Sequence, residues 1–305
     1  MDRANDVTIL VNSCDKYEDA WEPFFKLFSI QWPDCPYKIL LNTESKTFSC
    51  DYLSVETIHT GECKTWTERI KATLEKIDTE FVLFFLEDFF LLSPVNPIFW
   101  DDALVCMKNH VDVGFMWFPP NGPVHQPPKY RSIVDKYLYE NKKSRNFRIN
   151  ATLGLWRKEF LLQMLFRDGD AWYFEWSATK LSKYSNYKAT FWDQKSVHVF
   201  DYEISPESGL GIVRGKWLSG NKKLFETYNL TVNFENLGMI DENDITESVK
   251  AENQSTNRHL KKFKRFIRHK KSQLHDVKRF PKLYYRFKKY CKEVHENPNN
   301  PESSR

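Results

Sequence analysis

The strongest constraint on this chain is a single polar interruption in an apolar run. Glu80-Phe-Val-Leu-Phe-Phe-Leu-Glu-Asp-Phe-Phe-Leu-Leu92 is aromatic and aliphatic apart from its first residue and the pair Glu87-Asp88. The β-formers Phe81–Leu86 read as a strand covered on both faces, as in the middle of a parallel sheet. Two neighbouring carboxylates at the end of such a strand are costly to bury unpaired. They require a cation, a basic partner or an opening to solvent. The carboxyl ends of strands line the ligand crevice in open α/β sheets, and oxygen donors there suit Mg²⁺ or Mn²⁺. A salt bridge or a solvated turn before Ser93-Pro94 is the alternative.

The flanking sequence supports a sheet of this kind. Val7–Val11 is a strand-like run that stops in the turn cluster Asn12-Ser-Cys-Asp15. Helical spacing follows over Tyr17–Gln31, with Trp21, Phe24, Phe25 and Phe28 on one face, and Pro33 and Pro36 end it. Tyr37–Leu41 and Leu53–Ile58 are the next two strands. Trp66–Ile77 is an amphipathic helix with Thr65 and Glu68 spaced as a capping box. Strand, helix, strand, strand, helix, strand within 90 residues predicts a mostly parallel sheet with crossover helices. No GxGxxG or GxxxxGK[ST] follows the first strand, which argues against dinucleotide oxidoreductases and P-loop enzymes.

Further along, Val113–Phe118 and Phe147–Leu155 read as strands on either side of a proline-rich loop. Lys158–Phe166 and a segment from Asp170 to Ser182 read as helices, and Phe200–Ile204 as a short final strand. Gly209-Leu-Gly-Ile-Val-Arg-Gly-Lys-Trp217 is glycine-rich and basic. At 305 residues the chain has room for one large domain and an appendage. The expected boundaries are 1–250 for the α/β domain, 258–292 for a basic helical hairpin and 293–305 for a disordered tail.

Charge separates these parts. Residues 258–292 hold 15 Lys/Arg and one acid, Asp276, whereas the rest of the chain holds 30 basic and 40 acidic residues, net −10. The hairpin is expected to be a packed appendage with a solvated basic face, to which contact with an anionic membrane surface, a partner protein or the acceptor is added. Nucleic acid is disfavoured because no recognition motif accompanies the charge. No apolar run reaches membrane-spanning length, no signal peptide is visible, and the six scattered cysteines show no CxxC spacing. The expected location is therefore cytoplasmic, with peripheral contact at the inner face of the membrane open to the hairpin.

Five segments in this order carry a resemblance: Val11-Asn-Ser-Cys-Asp15, Trp66-Thr-Glu-Arg-Ile70, Leu86-Glu-Asp-Phe-Phe90, Trp172-Tyr-Phe-Glu175 and Ile212-Val-Arg-Gly-Lys-Trp217. Over roughly residues 7–220 the chain resembles a bacterial glycosyltransferase of GT-A type, of the kind found in surface-polysaccharide and adhesin glycosylation loci. It has Glu87-Asp88-Phe89 where such enzymes carry a DxD motif. The resemblance implies a GT-A-like α/β fold and a UDP-sugar donor, with galactose or glucose the first sugars to try. It also implies a glycan or glycoprotein acceptor and an assisting Mn²⁺ or Mg²⁺. Carried onto this sequence, Asn12, Ser13 and Asp15 would meet the base and ribose. Arg69 would approach the sugar or phosphates, and Arg214 and Lys216 would neutralise the diphosphate. Asp88 and Glu87 would hold the cation, with His198 as a further ligand. An inverting transfer needs a carboxylate base, for which Glu175 is the first candidate and Asp170 the second. The rivals are a metal-dependent phosphate-ester hydrolase using the same carboxylates, and a non-catalytic carbohydrate- or membrane-binding module on the same scaffold.

Overall fold

The computed structural model describes residues 6–120, 132–141, 143, 147–202, 211–241 and 243–245. The chain divides into two compact units, 1–239 and 240–305. Of the second unit only residues 240–241 and 243–245 are described, so the basic hairpin at 258–292 and the tail at 293–305 lie outside the described residues.

The first unit is a mixed α/β structure. Its strands are β1 (Val7–Asn12), β2 (Lys38–Thr43), β3 (Val55–His59), β4 (Phe81–Leu86), β5 (Val113–Trp117), β6 (Ser132–Asp135), β7 (Leu138–Glu140), β8 (Gly154–Arg157) and β9 (Lys188–Trp192). Among the described residues these form one nine-stranded sheet in the order β3-β2-β1-β4-β8-β5-β9-β7-β6. Strands β3, β2, β1 and β4 are mutually parallel, β8 is antiparallel between β4 and β5, and β5 and β9 are parallel. The expectation of a mostly parallel α/β sheet holds. The chain winds outward from β1 through β2 to β3 and then returns to place β4 on the other side of β1. The point of reversal lies between β1 and β4, and in sheets of this type ligands bind outside the carboxyl ends of the strands at that point.

Strand β4 is covered on both faces, as its composition predicts. Its pleat sends neighbouring side chains to opposite sides. Phe85 packs against Phe24 and Phe28 of α1 (Trp21–Gln31), with ring centroids 5.8 and 6.0 Å away, and against Phe200 at 6.1 Å. Phe84 faces the other layer and meets Trp66 of α2 (Trp66–Leu74) at 6.1 Å. Helix α3 (Pro97–Asn109) joins the Phe85 side through Trp100, which touches Trp32, Tyr37, Phe118 and Phe200. Helices α4 (Lys158–Met164) and α5 (Ala171–Leu181) join the Phe84 side, where Phe174 of α5 reaches Trp66 at 5.3 Å. Helix α2 begins with the anticipated capping box: Thr65 accepts the Glu68 N–H while Glu68 accepts the Thr65 N–H.

Several expected boundaries shift for identifiable reasons. The helix expected over Tyr17–Gln31 is a 3-10 segment, Asp15–Ala20, followed by α1, because Tyr17 leaves helical geometry at φ −103°, ψ 24°. The strand expected over Phe147–Leu155 begins only at Gly154. Phe147 has φ 53°, and Asn150 folds back to accept the Thr152 N–H and hydroxyl. Of the strand expected at Phe200–Ile204, the described part is a single bridge between Asp201 and Ser93. The signals for α3 were present, since Asn96 caps it and Pro97 is its first residue.

If the two-sided cover of β4 holds the domain together, Phe85→Ala should cost about 3–5 kcal/mol by equilibrium urea unfolding. The midpoint should move without a change in the denaturant slope.

Candidate functional site

The carboxyl ends of β1, β2 and β4 meet the start of α2 and a short hairpin, β10 (Ile212–Val213) and β11 (Lys216–Leu218). The acid pair lies in this region. Glu87 and Asp88 follow β4 directly and are 6% and 9% exposed. Asp88 is tied to the start of the hairpin twice: its carboxylate Oδ2 accepts the Ile212 N–H at 3.2 Å and its main-chain carbonyl accepts the Gly211 N–H at 3.1 Å. A side chain at Gly211 is excluded, because a Cβ there would stand 2.8 Å from Asp88 Cβ and from the Phe90 ring. Burial raises the Asp88 carboxyl to about 6 despite the Ile212 amide. The Glu87 carboxyl is raised well above its ordinary value, first by burial and then by the neighbouring Asp88 charge. Arg69 and a hydrogen bond from Ser13 offset this in part.

The fit of a divalent cation follows from this donor set. Neither carboxylate forms an ion pair with Lys, Arg or His among the described residues. Two buried, mutually repelling oxygen donors at a ligand crevice suit Mg²⁺ or Mn²⁺, which complete their shells with water and substrate phosphates. His198 does not join them. Its Nδ1 lies 3.4 Å from the Gln194 carbonyl and its Nε2 3.9 Å from Asp201. Among the described residues no three His, Cys, Asp or Glu side chains assemble as a metal cage. The expected third ligand, His198, is therefore not assembled with the carboxylate pair among the described residues.

Most residues expected to meet the nucleotide are instead taken up in holding the site together. Asn42, fully buried at the end of β2, accepts the Ser13 N–H at 2.9 Å and donates to Asn12 Oδ1 at 3.0 Å and Thr73 Oγ1 at 3.2 Å. The Ser13 hydroxyl accepts the Trp21 indole N–H at 2.7 Å. Arg69, with its side chain 12% exposed, donates to the Ser13 carbonyl at 2.7 Å and pairs with Glu44. It fixes the turn after β1 rather than standing open to phosphate. Asp15 accepts the N–H groups of Glu44, Ser45 and Lys46 and the Ser45 hydroxyl. Burial alone would raise its carboxyl, but these hydrogen bonds dominate and hold it at about 2. Its role is to clamp the loop after β2 onto the loop after β1. Asn42, Glu44 and Thr73 were not singled out in the sequence; an Asn-Thr-Glu run closing β2 was the available signal.

The cations gather differently. Arg214 and Gly215 form the hairpin turn, both in the left-handed region, at φ 53° and 76°. Arg214 and Lys216 are exposed. A Cβ on Gly215 would stand 3.3 Å from Lys16 Nζ, so the exposed Lys16 of the loop after β1 touches the hairpin turn. The structure thus brings Lys16, which sequence reasoning missed, together with the Arg214–Lys216 segment. Tyr17, whose ring centroid lies 5.5 Å from Lys16 Nζ, has its phenol pushed up by burial and by the charges of Cys14, Glu87 and Asp88.

The two base candidates separate. Glu175 lies on α5, and its Oε1 accepts the Ala151 N–H at 2.9 Å. Burial raises its carboxyl against that hydrogen bond. The pairing of Phe84 with Gly154 carries the segment 150–153 past the carboxyl end of β4, so this contact brings Glu175 to the site end of the sheet. Asp170 is the exposed N-cap of α5 and accepts the Tyr173 N–H at 2.7 Å. Its carboxylate serves the helix.

No protein-family model and no curated protein matches the chain. Among solved structures, S. aureus TarS matches at 14% identity and TM-score 0.44, over 66% of this chain and 37% of that one. TarS 1-349 in complex with UDP-GlcNAc matches at 15% identity and TM-score 0.41, over 66% and 62%. The bifunctional IspDF from Campylobacter jejuni matches at 16% identity and TM-score 0.35, over 61% and 48%. The chain therefore spans less than two thirds of each, and likeness at this level leaves the functional reading to the geometry of the site.

Two outcomes test this geometry. Asp15→Asn should lower stability at pH 7 by about 1–2 kcal/mol after allowance for partial exposure. Because the folded carboxyl lies below its ordinary 3.8, that contribution is complete above about pH 4 and fades as pH falls towards 2. Paired denaturant curves across that range should converge at the acid end. Asp88→Asn should raise the metal-free melting temperature by about 2–4 °C, by relieving buried charge. It should also remove the stabilisation that Mn²⁺ gives the parent protein; an equal Mn²⁺ shift in both would move the cation away from Asp88.

Proposed function

We propose that this protein is a nucleotide-sugar-dependent glycosyltransferase that moves a hexose from a UDP-sugar to a hydroxyl of a glycan or glycosylated protein. The observation that carries the reading is the buried Glu87-Asp88 pair at the reversal point of the sheet, beside a rim where Lys16 meets the Arg214–Lys216 hairpin. Acids flanked by cations suit a diphosphate held through a divalent ion, and the resemblance noted in the sequence points the same way.

Glu87 and Asp88 would hold Mn²⁺ or Mg²⁺, which supplies Lewis-acid stabilisation of the departing diphosphate. Lys16, Arg214 and Lys216 add positive charge where the leaving group gains negative charge. Lys16 and the Arg214–Lys216 hairpin come from distant parts of the chain and would contribute their charge side by side. Asn42, Arg69 and Asp15 act as positioning residues: they fix the turn after β1 that carries Lys16. Glu175 keeps Oε2 clear of its bond to Ala151, and its carboxyl, raised by burial, suits a general base. In an inverting transfer the acceptor hydroxyl gives its proton to Glu175. Its oxygen bonds the anomeric carbon, and the carbon–oxygen bond to UDP breaks with the electron pair leaving on the diphosphate.

Calorimetric titration with a panel of nucleoside diphosphate sugars, first with Mn²⁺ and then with EDTA, tests this reading. UDP-galactose and UDP-glucose are the first donors. Expected is Mn²⁺-dependent binding of one UDP-sugar, absent in Asp88→Asn, together with turnover that an acceptor accelerates. Donor turnover unaffected by acceptor would favour the hydrolase. Glycan or liposome binding with no nucleotide affinity would favour the non-catalytic module.

A further inference from the structure

The β10–β11 hairpin beside the acid pair is held at both ends. Its turn, at Arg214 and Gly215, adjoins Lys16 Nζ. Its open end is closed by one side chain. Asn221, the first residue of α6 (Asn221–Thr227), is 3% exposed. Its Nδ2 donates to the Gly211 carbonyl at 3.3 Å and to the Leu218 carbonyl at 3.1 Å. The Leu218 N–H donates to the same Gly211 carbonyl at 3.1 Å. A buried amide thus clasps the residue before β10 to the last residue of β11.

That clasp is seated on Asp88. The Gly211 N–H bonds the Asp88 carbonyl, and the next N–H along the chain, of Ile212, reaches Asp88 Oδ2. Glycine at 211 permits this approach, since a Cβ there would meet Asp88 and Phe90 at 2.8 Å. Aromatic packing fixes the same place from behind. Phe225 of α6 meets Phe90 at 5.3 Å and Trp217 of β11 at 5.7 Å, and Trp217 is fully buried. Asn221, Gly211 and Asp88 therefore stand in an unbroken line of hydrogen bonds within one packed unit.

A carboxylate that holds a cation is set in orientation by the donors on its other side, and those outer partners tune metal affinity. Here the donor is a main-chain amide. Its aim depends on where the backbone at 211–212 lies, and Asn221 holds that backbone.

We propose that Asn221 is a positioning residue for the cation, acting through Gly211 and Ile212 on Asp88, and that cation occupancy and the seating of the β10–β11 hairpin are linked. The inference rests on the cation reading of Glu87-Asp88 and adds to it how the site is set. Linkage is reciprocal: what the seated hairpin adds to cation affinity, the cation returns to the hairpin. Lys216, exposed on β11 beside Trp217, is placed by the same device.

The test uses the full chain. Calorimetry gives its Mn²⁺ affinity, and hydrogen exchange of peptides covering 211–218 is followed with Mn²⁺ and with EDTA. Mn²⁺ should slow exchange at 211–218 in the parent, and Asp88→Asn should abolish that protection. Asn221→Ala should weaken Mn²⁺ binding by about ten-fold or more, and Asn221→Ser, which keeps a donor hydroxyl, by less. A lower melting temperature in Asn221→Ala with unchanged Mn²⁺ affinity would reduce Asn221 to a structural clasp and overturn the proposal. If Asn221→Ala does not fold, exchange in the parent decides: no Mn²⁺ effect at 211–218 overturns the linkage. Mn²⁺ binding linked to the hairpin in a protein without UDP-sugar affinity would remove the transferase reading and leave the linkage standing. No Mn²⁺ binding by the parent would remove the cation assignment and the linkage together.

Discussion

The structure is organised around a buried charge problem. Strand β4 is covered by aromatic layers on both faces, and that cover extends over the two carboxylates that follow it. Ionised acids in such a place repel each other and lose their hydration, which raises the Glu87 and Asp88 carboxyls. Among the described residues little relieves this. The Ile212 amide reaches Asp88, and Arg69 acts on Glu87 from a position where its guanidinium already serves Ser13 and Glu44. A buried acid pair so weakly compensated is a stability cost that a bound cation would offset, which is the physical argument for a ligand at this point.

Around that pair, the polar groups sort into those buried in holding the site and those exposed to solvent. Asn42 ties the ends of β1 and β2 to α2 through three hydrogen bonds, and Asp15 gathers four donors from the loop after β2. These side chains are buried or half-buried and their hydrogen-bonding capacity is engaged inside the protein. Lys16, Arg214 and Lys216 are exposed, Lys16 on the 3-10 segment, Arg214 in the hairpin turn and Lys216 at the start of β11. The division follows from desolvation: a buried polar group must find a protein partner, whereas an exposed cation keeps part of its hydration.

Helix α5 sets the position of the proposed base. Its Asp170 cap and the exchange between Gly169 and Thr67 fix where it starts, and the contact of Phe174 with Trp66 fixes its rotation. With that rotation set, Glu175 meets Ala151 at the site end of the sheet and Trp172 is left to solvent. The same packing that buries one aromatic therefore leaves another exposed.

Much of this was legible in the sequence. The apolar run at Phe81–Leu86 required a doubly covered strand, the Thr65–Glu68 spacing required a helix start, and Glu87-Asp88 marked a charge interruption beside that strand, because each follows from local composition and period. Local pattern could not assign partners. The helix-like spacing over Tyr17–Gln31 hid a break at Tyr17, and the β-rich stretch after Phe147 hid a left-handed residue. Arg69, Asp15 and Asp170 had the right chemistry for a ligand. Only tertiary structure engaged them with Ser13, the loop after β2 and a helix cap. Lys16 became a site residue only because the Gly215 turn, some two hundred residues away in the chain, folds against it. Sequence determined which segments bury and where charge interrupts them, since burial follows side-chain type and period. Tertiary structure decided which polar groups satisfy one another and which stay open, since hydrogen bonding depends on distances that only the folded chain sets.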